Sequence, residues 1–287
     1  MSFPKKKAPH NVRVLRNWVH AYAESTDQAV GRVTRAISFM LIALVLERAR
    51  TKEGEPLFLV KGGVSMELRL RLRARATKDL DTVFRGRFEE WLEALDDALG
   101  ASVEGFSFSR AEPVEIRETH TFRVNVAIDL KGRRWGQVVL EVAPAEAAEV
   151  IDVDVVEPFD IGQFGLPAPE SVPVVGLPYL IAQKLHACTQ PPEQGEENQR
   201  SHDLMDLLLA RDLLEESELA RVREACLAIF GGRDIHEWPP SVVVYPSWPA
   251  AFAKLAGEEG FPIDDVEQVA ELVRELIAEI DAAVPAR

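Results

Sequence analysis

The sequence predicts an α+β protein, with a mixed α/β sheet region in its first half and a run of helices in its second. Three observations carry this. Short apolar strands alternate with helical periodicity through residues 57–95, the strands being Leu57-Phe58-Leu59-Val60 and Asp79 to Phe84. Strict alternation of Phe122, Val124, Val126, Ile128 and Leu130 runs into the turn pair Lys131-Gly132 and a return strand from Gln137 to Val142, which makes a hairpin. Beyond residue 177 the patterned segments have helical spacing.

Taken in order, Leu15, Trp18, Val19 and Tyr22 mark a first helix, and Val33, Ile37, Met40, Leu41, Leu44 and Val45 a second, with Asp27 as its expected cap. The first strand ends at Lys61-Gly62-Gly63, a break from which a helix of Ser65, Met66, Leu68, Leu70 and Leu72 can start. A turn near Ala76-Thr77 leads into the second strand, and Phe88, Trp91, Leu92 and Leu95 mark an amphipathic helix. Residues from Pro144 to Pro178 are rich in proline and glycine and read as a connecting segment. Helices are then expected over Leu177 to Thr189, His202 to Leu214, Ser217 to Phe230 and Ile263 to Val284, with a surface loop from Gln190 to Arg200. The expected division is residues 1–160, two helices plus the mixed sheet, and residues 161–287, a helical region that completes the site.

Hydrophobic residues make up 47% of 287, enough for a real core. No run approaches the ~20 apolar residues of a membrane span. Met1-Ser2-Phe3-Pro4-Lys5-Lys6-Lys7 leads into polar residues, not a secretion leader. Cys188 and Cys226 have no metal-ligand spacing and make no disulfide framework. These features together read as a cytoplasmic protein. A net charge of −14 argues against general affinity for nucleic acid. Its distribution is uneven, however: residues 1–80 carry 16 Lys+Arg against 7 Asp+Glu. Either the basic front half meets a polyanion, or its arginines simply solvate helices.

Asp79 and Asp81, two apart on a strand, point to one face and can converge on a hard cation. Alone, such a pair is also what a solvent-exposed strand end looks like. Earlier in the chain, Gly62-Gly63 between a strand and a helix lets a phosphate approach the backbone and the N–H groups of the helix start. Lys61 adds a charge and Ser65 a hydroxyl. An anion cradle and a carboxylate pair on adjacent strands make a nucleoside-triphosphate site. Glu141 alternates out of phase with Val138, Leu140 and Val142, which makes it either a third metal-site acid or an ordinary solvent-facing residue. Lys184 falls on the apolar stripe of Ile181, Leu185 and Cys188, and needs an anionic partner if it does not reach the surface. Asp206 sits among apolar neighbours and needs a partner of its own, with Lys184 a candidate; Asp203 reads as a cap or salt-bridge residue.

Val60-Lys61-Gly62-Gly63, Thr77-Lys78-Asp79-Leu80-Asp81, Gln183-Lys184-Leu185-His186-Ala187 and His202-Asp203-Leu204-Met205-Asp206-Leu207 together resemble the AbiEii nucleotidyltransferase toxins, and within them the mycobacterial MenT branch. The likeness extends through Cys226 to Phe230 and Arg233, His236 and Trp238-Pro239-Pro240. It implies a bilobed fold with a polymerase-β-like lobe and a helical lobe, and a toxin of a type IV pair with a separate antitoxin protein. It further implies transfer of nucleotides from an NTP to the 3′ end of tRNA, which blocks aminoacylation and translation. By position, Asp79 and Asp81 are the residues for Mg2+ or Mn2+, and the strand parity above adds Glu141 to them. By position too, Lys184 binds the triphosphate and Asp206 is catalytic or orients Lys184, beside Lys61, Gly62, Gly63 and Ser65, the nucleotide-binding residues of the glycine turn read above. Arg233 is a substrate contact, and Arg69, Arg71, Arg73 and Arg75 guide the RNA. Many nucleotidyltransferases have Gly-Ser where this chain has Gly62-Gly63, which removes a hydroxyl but keeps the backbone donors. Thr77 is an expected regulatory position, because phosphorylation there adds about −1.5 to −2 charge beside the triphosphate. Two alternatives stand beside this: a catalytically degenerate module that only binds RNA or protein, and a nucleotidyltransferase acting on a protein or small molecule.

Overall fold

The computed structural model describes residues 2–71, 75–116, 120–146, 152–193 and 195–283. Leu72, Arg73 and Val284, named above, lie outside them. The chain divides into two units: residues 1–69, 76–146 and 155–174 form one, and residues 70–75, 147–154 and 175–287 the other. Both units are discontinuous in sequence.

In the first unit, α1 (Val12–Ser25) starts where the Asn11 side chain accepts from the Val14 N–H at 2.9 Å, and buries Val12, Leu15, Val19 and Ala23 along one stripe. α2 (Val30–Leu46) is buried over most of its length. Asp27 does not cap it: Ala29 holds the cap position without a side-chain bond, and Asp27 sits at φ 53° in the preceding turn, a backbone that aspartate tolerates. Then come β1 (Phe58–Val60), α3 (Gly62–Leu70), β2 (Asp79–Phe84) and α4 (Trp91–Leu99), the last led in by a 3-10 turn at Phe88–Glu90. β3 (Phe106–Arg110) and β4 (Val114–Ile116) precede the hairpin of β5 (Thr121–Leu130) and β6 (Arg133–Pro144). Its turn is Lys131-Gly132, both at positive φ, as a two-residue hairpin loop requires. β7 (Val153–Val156) and β8 (Val172–Val175) fall inside the segment read as a connector, where Pro173 and short length hid the strand pattern.

The sheet runs β3-β5-β6-β2-β1-β8-β7, with β4 on β5. β2 pairs parallel with β6 and antiparallel with β1, β1 pairs parallel with β8, and β5 is antiparallel to β3 and β6, so the sheet is mixed. One face carries Leu80, Val124, Val126, Leu140 and Val142, which share a core with Leu15, Val19, Ile37, Met40, Leu41 and Leu95 of the helices. Alternation therefore sends Asp79, Asp81, Glu141 and Arg123 to the opposite face.

The second unit holds α5 (Leu177–Thr189), α6 (Ser201–Arg211), α7 (Leu219–Arg233), α8 (Trp248–Glu259) and α9 (Val266–Ala282). α5 packs on α6 and α7, and α6 on α8 and α9. α8 starts with a proline in its first turn, the one helical place where proline is at home. The 190–200 loop is tied back by Asn198, whose Nδ2 donates to the carbonyls of Ala187 and Gln190 at 2.9 Å each. No helix among the described residues is long and apolar enough to cross a membrane.

Candidate active site

Asp79 and Asp81 leave β2 on one face, flanking the fully buried Leu80. Pairing brings Asp81 level with Glu141 of β6, and Glu141 level with Arg123 of β5. On the other flank, the Lys61 N–H donates to the Asp81 carbonyl at 2.8 Å, so the chain turns into α3 beside that carboxylate. One row across four neighbouring segments therefore reads Arg123, Glu141, Asp81, Lys61, with Gly62 the next residue along the chain.

The two glycines are required by different neighbours. Gly62 has φ 60°, and a Cβ there would lie 2.2 Å from Asp81 Oδ2. Gly63 has ordinary backbone angles, but its Cβ would meet Thr77 Cβ and Oγ1 at 2.8 Å. Thr77 is buried at this contact, and Ser65 is fully buried with an Oγ that has no partner among the described residues. Lys61 is half-buried.

Asp79 is held above the usual carboxylate range, first by burial and then by the charge of Glu141; Arg123 and Lys78 offset this only in part. Glu141 Oε1 accepts from Arg123 Nε at 2.9 Å and Nη2 at 2.6 Å. Sequence reasoning missed Arg123, which alternates with the apolar residues of β5 but belongs to no motif. It also missed Glu67, a buried carboxylate of α3. Glu67 accepts from Arg32 Nε at 2.9 Å and from the Thr77 backbone, and burial pushes its carboxyl up against the pull of Arg32 and Arg35. Through Thr77 it braces the segment that enters β2.

In the second unit, Lys184 Nζ donates to Asp203 Oδ1 and Asp206 Oδ2, each at 2.7 Å and all three buried. Burial alone would push the Lys184 ammonium down, but the two carboxylates overcome it and hold the pKa above the ordinary lysine value. Arg75 Nε donates to Asp206 Oδ2 at 3.2 Å, and Arg200 Nε approaches Asp203 Oδ2 at 3.1 Å. Three cations thus surround two carboxylates, a cluster with excess positive charge. Arg75, read above as an RNA guide, is engaged in it. Arg233 Nη1 lies 3.4 Å from Nδ1 of His186, whose pKa falls to about 3 through burial, Arg233 and His236.

Among the described residues no three His, Cys, Asp or Glu side chains are grouped to hold a metal ion. The carboxylate pair of β2 fits a hard cation that completes its shell with phosphate and water, as magnesium does. Glu141, level with Asp81 on the neighbouring strand, turns Oε1 to Arg123.

The family model of the AbiEii nucleotidyltransferase toxins of type IV toxin–antitoxin systems matches residues 44–282. The chain belongs to the AbiEii family. No curated protein sequence matches it. It is similar to the solved structure of MenT4, a nucleotidyltransferase toxin from Mycobacterium tuberculosis H37Rv, at 19% identity over 93% of this chain and 98% of that one, TM-score 0.47. It is similar to JHP933 from Helicobacter pylori at 17% identity over 86% and 91%, TM-score 0.44. For ANT(2″)-Ia in complex with adenylyl-2″-tobramycin the values are 17%, 70% and 99%, TM-score 0.40. By its family match this AbiEii chain is a nucleotidyltransferase-family protein, and its sheet gives it a mixed α/β fold.

Proposed function

We propose that this AbiEii protein transfers nucleotides from an NTP to the 3′ end of tRNA, halting translation until a separate antitoxin protein restrains it. The observation that carries the reading is the absence of room at Gly62: only a bare backbone fits against Asp81 Oδ2. A backbone amide donor and a carboxylate pair so close together suit a triphosphate and its cation. Asp79 and Asp81 would hold Mg2+ or Mn2+. A cation held there would supply Lewis-acid stabilisation of phosphate charge.

The chain's own residues supply the rest. Backbone N–H groups of the Gly62-Gly63 turn and Lys61 receive the departing pyrophosphate charge. In the second unit, Lys184, held by Asp203 and Asp206 in a cluster with excess positive charge, is the candidate nucleotide-binding cation, and Asp206 positions it. Glu141 orients the attacking 3′-hydroxyl. That oxygen bonds to the α-phosphorus as the bond to pyrophosphate breaks, and its proton passes to a carboxylate or solvent. Arg233 remains a candidate substrate contact on this reading.

The test is transfer of each labelled NTP into cell extract and purified tRNA. Wild type labels tRNA and Asp79→Ala does not; label in protein or a small molecule instead, or a fully active Asp79→Ala, overturns the reading.

A further inference from the structure

We propose that Arg123 binds a phosphate of the acceptor strand, so that the site selects a phosphodiester-bearing acceptor; this rests on the RNA-directed reading above. The argument starts from the row of residues. Neighbouring strands lie about 4.8 Å apart, so Arg123 on β5 and Gly62 after β1 flank the β2 carboxylates on opposite sides, with Glu141 between Arg123 and Asp81. In an in-line displacement the attacking oxygen and the leaving group lie on opposite sides of the phosphorus. With the pyrophosphate leaving on the Gly62-Gly63 side, the acceptor's 3′-oxygen enters from the side of Glu141 and Arg123.

Arg123 is built to receive an anion there. Its Nε and Nη2 are both spent on a single oxygen, Oε1 of Glu141, which fixes the guanidinium plane. Nη1 makes no hydrogen bond among the described residues, and the side chain is 51% exposed. The free edge of a guanidinium anchored in this way matches a phosphate. A simple strand-pair salt bridge would give Arg123 no further role. What distinguishes the two is its row, which ends at the carboxylates of the catalytic face. A small polyhydroxyl acceptor offers this cation nothing to bind. A nucleic-acid strand presents a phosphate one nucleotide behind its 3′-hydroxyl.

The experiment compares wild type, Arg123→Gln and Arg123→Lys as full chains. Binding of tRNA is read by fluorescence anisotropy over a salt series, and KM and kcat by label transfer. Nucleotide affinity is read by calorimetry with Mg2+ and a non-hydrolysable NTP. Arg123→Gln should raise KM for tRNA about tenfold and lower the slope of log affinity against log salt by about 0.7–0.9, one phosphate contact, with NTP affinity within about twofold. Arg123→Lys, which keeps the charge, should retain the slope. Unchanged tRNA binding and slope in Arg123→Gln overturn the proposal while tRNA labelling by wild type leaves the broader reading standing. Loss of NTP affinity with tRNA binding intact also overturns it. Failure of wild type to bind or label tRNA, with label in another acceptor, overturns both.

Discussion

Substituting alanine for Gly62 tests whether the glycine turn and the carboxylate beside it form one device. The added methyl would sit 2.2 Å from Asp81 Oδ2, so the oxygen must retreat by more than 1 Å to reach ordinary contact at 3.4 Å. It would also force a left-handed φ of 60° on a residue with a Cβ, which costs about 1–2 kcal/mol. A misplacement of about 1 Å at a reacting centre lowers turnover about 10²-fold, which is ~2.7 kcal/mol of transition-state binding. Gly132→Ala supplies the control, because Gly132 has φ 75° in the hairpin turn with nothing within 4 Å of the added Cβ. It carries the same backbone penalty without the contact. Thermal melts should therefore show Gly62→Ala destabilised at least as much as Gly132→Ala, while labelled-nucleotide transfer falls about 10²-fold in Gly62→Ala alone. Turnover in Gly62→Ala within about threefold of Gly132→Ala would refute the reasoning, since the lost rate would then owe nothing to Asp81.

Three further outcomes follow from the same geometry. Lys184→Met leaves Asp203 and Asp206 buried without their shared ammonium, so the nucleotide-free protein should lose about 3–5 kcal/mol and melt at least ~6 °C lower; an unchanged melting temperature would mean the cluster is not held together by that lysine. Phosphorylation of Thr77 adds about −1.5 to −2 charge in a spot already packed against Gly63, so Thr77→Glu should cut kcat/KM at least ~10-fold while Thr77→Ser keeps it. Equal activity of phosphorylated and unmodified protein would end that regulatory idea. His186 and His202, with folded-state pKa values of about 3 and about 4, stay neutral when folded while the unfolded chain protonates near 6.5. Stability is thus complete above pH 6.5 and lost as pH falls below it, by up to about 1.4 kcal/mol per pH unit for each histidine. Urea midpoints from pH 6.5 to 5 should fall less steeply in His186→Phe, and an identical slope would sink the assignment.

Local signals in this sequence carried a long way where the structure they encode is local. Alternation marked β5 and β6, the 3.6-residue period marked α1, α2, α5 and α9, and parity within β2 was enough to send Asp79 and Asp81 to one face. The apolar surroundings of Lys184 and Asp206 announced two buried charges that each needed a partner, and they are bonded to one another. What stayed hidden was non-local. β8 pairs with a strand more than a hundred residues earlier, Val60 with Val174, and nothing in its own four residues says so. Arg75 looked like one of a row of solvent-facing arginines, yet its partner Asp206 is 131 residues away in the chain.

The position of Arg123 shows why motif reading stops short of the whole site. The turn at Lys131-Gly132 pairs Leu130 with Arg133 and Asp129 with Arg134. Continued unbroken, that register would bring Arg123 opposite Leu140 and Glu141 opposite Phe122. A bulge between Ile128 and Asp129 shifts it by one, so that Ile128 meets Gly136 and Arg123 meets Glu141. The extra residue is Trp135, buried, with its indole N–H donating to Ser38 Oγ at 3.2 Å and its carbonyl accepting from Arg16 at 3.5 Å. A one-residue slip exchanges the two faces of a strand, and bulges beside active sites commonly re-aim a side chain in this way. The residue facing Glu141 is thus decided by a tryptophan at the far end of the hairpin and by its anchorage to α1 and α2. No spacing rule applied to residues 123 and 141 alone contains that information.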